Sequence, residues 1–122
     1  MTTAQDLRVV PRGTPGSVSL LAYANHNAGL RAGARAVTVL LSWGIAERAL
    51  SRPLGQDGTT TDALIEFGDW WKQSERTTWR DLDAFRRAFP GEDTPHRLAV
   101  ELAHRVEARK GFTGLANVPV VA

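Results

Sequence analysis

Residues 73–91 read QSERTTWRDLDAFRRAFPG. Arginines, carboxylates, a tryptophan and two phenylalanines crowd this segment, and its ends are marked. Ser74 is a favoured helix N-cap and Pro90-Gly91 a favoured stop, so a helix over 74–89 is predicted. At 3.6 residues per turn, Thr78, Leu82, Phe85 and Phe89 fall in one narrow sector. Arg76, Arg80 and Arg87 fall almost opposite with Asp83 beside them, and Trp79 and Arg86 sit on one flank. The helix therefore has an apolar back and a ridge of guanidinium groups. Such a ridge is often only a solvated face, so its neighbours decide its meaning.

The preceding helix begins at Thr60 or Thr61 as cap and runs to about Trp71, with Leu64, Phe67 and Trp71 as its apolar face. Only Lys72 and Gln73 separate it from Ser74. Two helices joined so tightly, the second with a basic outer face, predict a helix-turn-helix at 61–89. Further out, a helix is expected over 34–50, with Val37, Leu40, Leu41, Gly44 and Ile45 on one side, broken by SRPLGQDG at 51–58. Thr94-Pro95 opens another helix reaching about Lys110, with Leu98, Leu102 and Val106 aligned. Residues 17–33 can hold a short helix, weakened by Asn25, Asn27, Gly29 and Gly33. Residues 1–16 are expected to form an arm without a core of its own, and 111–122 a loop-like or extended tail. The fold class is thus all-α: a helical domain of four to five helices over 17–110, with irregular N- and C-terminal arms.

The 122 residues, 43% apolar, suit one small domain. There is no cysteine, which excludes disulfides and thiolate metal sites and leads us to expect a cytoplasmic protein. The opening residues are polar and charged rather than leader-like, and the apolar-rich run 36–46 is about half a bilayer span, so no membrane partner is expected. Fifteen basic and thirteen acidic side chains leave a net charge of only +2. For a polyanionic partner, clustering of the basic residues matters more than their number.

SERTTWRDLDAF (74–85) resembles the recognition-helix signature of DeoR-type and related bacterial helix-turn-helix repressors. Ser74, Glu75, Arg76, Thr77, Arg80, Asp81, Leu82, Asp83 and Ala84 match it, with Phe85 at a leucine position. FGDWWKQ (67–73) follows by pattern: Phe67, Trp70 and Trp71 take apolar positions, and Gly68 the small one where the helices touch. The likeness spans about residues 61–89. Lys72 stands where the family has a turn glycine, and Gln73 where it has an apolar plug. The sequence after Phe89 reads as a helix, not a β-hairpin wing, and leaves no room for the family's effector domain, so a stripped module is expected.

The resemblance implies a helix whose N-terminal residues meet base edges in the major groove. Arg76 and Arg80 would fork onto guanine O6 and N7. Thr77 would contact a base or a phosphate, Trp79 a thymine methyl or sugar, and Lys72, Arg87 and an uncapped Ser74 hydroxyl phosphates. Other features carry less. His26, His96 and His104 form no ligand cluster, and His96 and His104 stand eight apart, so no metal site is expected. Asp62, Glu66 and Asp69 share a helix face that is read as solvated. No nucleophile–base–acid set is visible, and neither GTPG (13–16) nor GQDG (55–58) leads into a phosphate-binding Lys-Ser or Lys-Thr, so neither enzyme activity nor a cofactor is expected.

The leading expectation is a small regulator, of the kind carried by phages or mobile elements, that reads double-stranded DNA with helix 74–89. One module makes few contacts, so a homodimer or a partner protein is expected with it. The alternative, favoured by the low net charge, is a non-enzymatic interaction subunit of a larger assembly such as a virion.

Overall fold

The computed structural model describes residues 7–109 and 116–119. In chain order these form β1 (Val10–Pro11), β2 (Ser17–Ser19), α1 (Leu20–Ala28), α2 (Leu30–Leu50), α3 (Thr60–Trp71), α4 (Glu75–Ala88), α5 (His96–Arg109) and β3 (Ala116–Pro119). The mostly helical domain matches expectation. Helix caps explain most of its boundaries. Thr59, rather than Thr60 or Thr61, caps α3, because Asp62 three residues on returns a bond to the Thr59 amide. The Ser74 hydroxyl caps α4 as expected, accepting from the Thr77 N–H at 3.1 Å.

Helix α2 is the central element, packing against α1, α3, α4 and α5. Its buried face overlaps the expected one only in part: Leu40 is buried and Val37 and Leu41 pack partly buried against the core. Ala36, Val39, Leu40, Trp43, Ala46 and Glu47 face inward, while Ile45 is 56% exposed. A helix flanked on several sides buries a broad arc, and a single-stripe reading places its centre wrongly. The helix also starts earlier than expected, at Leu30. Gly33 permits this, because a Cβ there would lie 2.8 Å from the Asn25 backbone, so α1 and α2 meet almost backbone to backbone.

The core joins all five helices. Trp43 stacks on Phe67 with centroids 5.0 Å apart, and Phe89 contacts both Phe85 and Tyr23. Leu98 and Leu102 of α5 are buried as expected, whereas the side chains of Val106 and His104 lie outside the described residues. β1 and β3, in the termini expected to be irregular, and β2, at the start of the stretch expected to be helical, pair into an antiparallel sheet of order β1-β3-β2, with Val10 opposite Asn117 and Val18 opposite Val118. Val118 is fully buried, and Leu7 and Val9 join the core, so the arm is packed against the helices. Residues 1–6, 110–115 and 120–122 lie outside the described residues. No helix among the described residues is long and apolar enough to cross a membrane.

Candidate nucleic-acid interface

The turn between α3 and α4 holds three residues, 72–74. Lys72 takes the left-handed conformation that the resemblance assigns to glycine, at φ 54° and ψ 45°. A lysine there costs roughly 1 kcal/mol relative to glycine. Two backbone bonds offset this: the Lys72 N–H donates to the Asp69 carbonyl at 3.2 Å and the Gln73 N–H to the Gly68 carbonyl at 3.0 Å, a Schellman-like closure. Gly68 is where the helices touch, for a Cβ there would lie 2.7 Å from the Thr78 Oγ1.

Gln73 plugs the turn in a polar way. Its side-chain amide donates to Thr78 Oγ1 at 3.0 Å and to Asp81 Oδ2 at 2.9 Å. Asp81 is only 8% exposed and also accepts from the Nε of Arg35 on α2 at 2.8 Å. A buried carboxylate needs such partners, and this one pins α4 to both the turn and α2. Thr78, Leu82, Phe85 and Phe89 are all buried, as expected of the inner stripe.

The outer face is different in kind. Arg76, Arg80 and Arg87 are exposed, and Trp79 keeps 43% of its surface in solvent. Arg87 has a loose i,i+4 partner in Asp83 at 3.5 Å. Arg76 and Arg80 form neither a hydrogen bond nor an ion pair among the described residues. Lys72 is exposed at the turn. The Ser74 hydroxyl is spent: besides capping Thr77 N–H, it donates to Thr77 Oγ1 at 3.0 Å. That bond ties into the cap both the Ser74 hydroxyl, expected at a phosphate, and the Thr77 hydroxyl, expected at a base or a phosphate.

Helix α4 does not stand alone on its outer side. The corner between α1 and α2 runs beside it, fixed by Asn27, whose Nδ2 donates to the Ala88 carbonyl at 2.9 Å. Between the corner and α4 lies an open trough of about 750 Å³. Arg31 and Arg35 line it from α2, and Arg76, Arg80 and Arg87 from α4; among the described residues Asp83 is the only carboxylate in its walls. The structure thus brings the outer arginines of α4 into one basic trough and adds two that the sequence reading missed. Arg31 and Arg35 are spaced i,i+4, a signal visible once the helix is extended back to Leu30.

Several of the remaining charges have structural partners. Asp62 caps α3, and Glu66 is bound by the Arg52 guanidinium and the Gly55 N–H. The Arg52 hydrogen bond first, and then the Gly55 amide, hold the Glu66 carboxyl down from 4.5 to about 2. Glu47, buried in α2, accepts from the Trp43 indole at 3.0 Å, from the Leu54 N–H at 3.0 Å, and lies 2.9 Å from His96 Nδ1. His96 therefore joins α5 to α2 rather than belonging to a ligand cluster. Among the described residues no group of three or more metal-ligating side chains occurs. Neither protein-family models, nor curated proteins, nor solved structures gave a match to this chain.

Proposed function

We propose that this chain is a small helix-turn-helix DNA-binding protein, a transcriptional regulator that reads duplex DNA with α4. The observation that supports this best is the division of α4 into a partnered inner face and an outer face whose Arg76 and Arg80 have no partner among the described residues. Arg76 and Arg80 are one turn apart in the first half of the helix, where base edges are read in a major groove. A bidentate arginine–guanine contact discriminates by roughly 1–3 kcal/mol. Trp79 lies beside them for a thymine methyl or sugar, with Lys72 and Arg87 as phosphate contacts. Ser74 and Thr77 serve as the cap that fixes the start of the helix, which narrows their expected role. The resemblance of residues 74–85 to DeoR-type recognition helices supports the same reading. One short helix reads few base pairs, so the protein acts as a homodimer or beside a partner protein.

Binding to random-sequence duplex across a range of salt tests this. Affinity should fall with a log–log slope of about −0.9 for each phosphate contacted. A chain that ignores duplex at low salt is instead an interaction subunit of a larger assembly. That second reading has one observation of its own: Ile45 and Val100 are exposed beside a shallow apolar groove between α2 and α5.

A further inference from the structure

A helix with its side chains is about 10–12 Å across, and the major groove of B-form DNA is about 12 Å wide. A helix seated there fills the groove, and the two phosphate ridges that bound it run along its flanks. On one flank of α4 stands the α1–α2 corner, residues 28–32, held there by Asn27 and by the Arg35–Asp81 pair. A duplex that admits α4 with this flank toward the groove edge brings one ridge against this corner. What the corner presents suits a phosphate ridge. Arg31 is exposed and makes no hydrogen bond or ion pair among the described residues. The first turn of α2 contains no acidic residue. Ala28, Gly29 and Ala32 are small and keep the trough open beside it.

We infer that the trough between the first turns of α2 and the outer face of α4 seats the phosphodiester backbone of one DNA strand, with Arg31 as its main cation on the α2 side. The inference rests on α4 being the duplex-reading helix. Arg35 is committed to Asp81 and keeps the two walls at a fixed separation. Arg31 is free to neutralise a phosphate, and because phosphates are the same at every step, its contribution is independent of sequence.

The test compares the full chain with Arg31→Gln, Arg31→Lys and, as a control of equal charge change outside the trough, Arg48→Gln. Anisotropy titrations use two unrelated labelled duplexes, the matching single strand and an RNA hairpin over a range of salt. Arg31→Gln should make the log–log salt slope shallower by about 0.9 and lower duplex affinity about eightfold at 0.1 M salt, equally on both duplexes. Arg31→Lys should restore most of the slope, which shows that the loss is one of charge rather than of folding, and Arg48→Gln should leave the slope unchanged. If the parent binds duplex and Arg31→Gln binds with the same slope, the trough proposal is overturned while α4 as the reading helix stands. A loss confined to one of the two duplexes overturns it too, since Arg31 would then read bases. Tighter binding to the single strand or the hairpin than to duplex overturns the assignment of the trough to a duplex ridge. A parent that binds no duplex at low salt overturns both this inference and the function it rests on.

Discussion

Two ends of this molecule carry similar numbers of charged side chains and use them differently. Around the loop after α2 and the start of α5, most of the charges are paired internally. Arg52 holds Glu66, Arg97 holds Glu92 and Glu101, and His96 meets the buried Glu47. Around the trough, one arginine is committed to Asp81, another loosely to Asp83, and Arg31, Arg76 and Arg80 have no partner among the described residues. A net charge of +2 averages over these ends and hides the difference. A paired arginine is part of the fold, whereas an unpaired cluster raises a local potential that an external polyanion can lower. The low net charge therefore weighs less against a nucleic-acid partner than it does in the sequence alone.

The strongest way to break the comparison is to remove what both ends share. Phe85 is fully buried on the inner face of α4, and Phe85→Ala should cost about 3–5 kcal/mol in urea unfolding. Duplex binding should be lost with the fold. The comparison sharpens when two arginines of the trough are exchanged one at a time. Arg35→Ala removes the only cation bonded to Asp81 among the described residues and leaves its carboxylate with the Gln73 amide alone; the Asp81 side chain is 11% exposed against 42% for Arg35. Solvent reaches the arginine side, so the expected loss of stability is about 1–3 kcal/mol rather than the full cost of a buried pair. Arg80→Ala breaks no hydrogen bond or ion pair among the described residues and should change stability by less than about 0.5 kcal/mol. Its effect should appear in DNA affinity instead. Equal losses of stability in the two variants would abolish the distinction between committed and free arginines.

The smallest effect belongs to the paired end. The folded chain holds the Glu66 carboxyl at about 2, below its ordinary 4.5, so it binds that proton less readily than the unfolded chain does. The stability this pair contributes is complete above about pH 4.5 and is lost as pH falls toward 2. The melting temperature of the parent should fall more steeply across that window than that of Glu66→Gln. Parallel profiles would show that Glu66 is not tied to Arg52 in solution.

Much of the helical plan is legible in the sequence because caps and stops are local. Ser74, Pro90-Gly91, Thr94-Pro95 and the inner stripe of α4 each follow from a few adjacent residues. What was not legible is non-local. The sheet joins residues 10–11 and 17–19 to 116–119, pairing across nearly the whole chain. The α1–α2 corner depends on Gly33 meeting the Asn25 backbone, and a glycine read in isolation looks like a helix breaker. The face of α2 is only partly legible, because its neighbours on several sides are distant in sequence. The outer face of α4 followed from the wheel, but the opposite wall of its trough did not, since Arg31 was read as part of a weak segment. Asp81 sits at the edge of the inner stripe on the same wheel. Its burial becomes intelligible only with Gln73 and Arg35 in place.

The most direct test of α4 as a reading helix is a selection from random duplex DNA, followed by affinity measurements for the parent and Arg80→Ala on the selected site and on single-base variants of it. The account predicts an enriched site containing a guanine at which the parent discriminates roughly 10- to 150-fold, equivalent to about 1–3 kcal/mol, and at which Arg80→Ala, folded and equally stable, no longer does. No enrichment, or an Arg80→Ala variant with the parent's affinity and base preference, would contradict it.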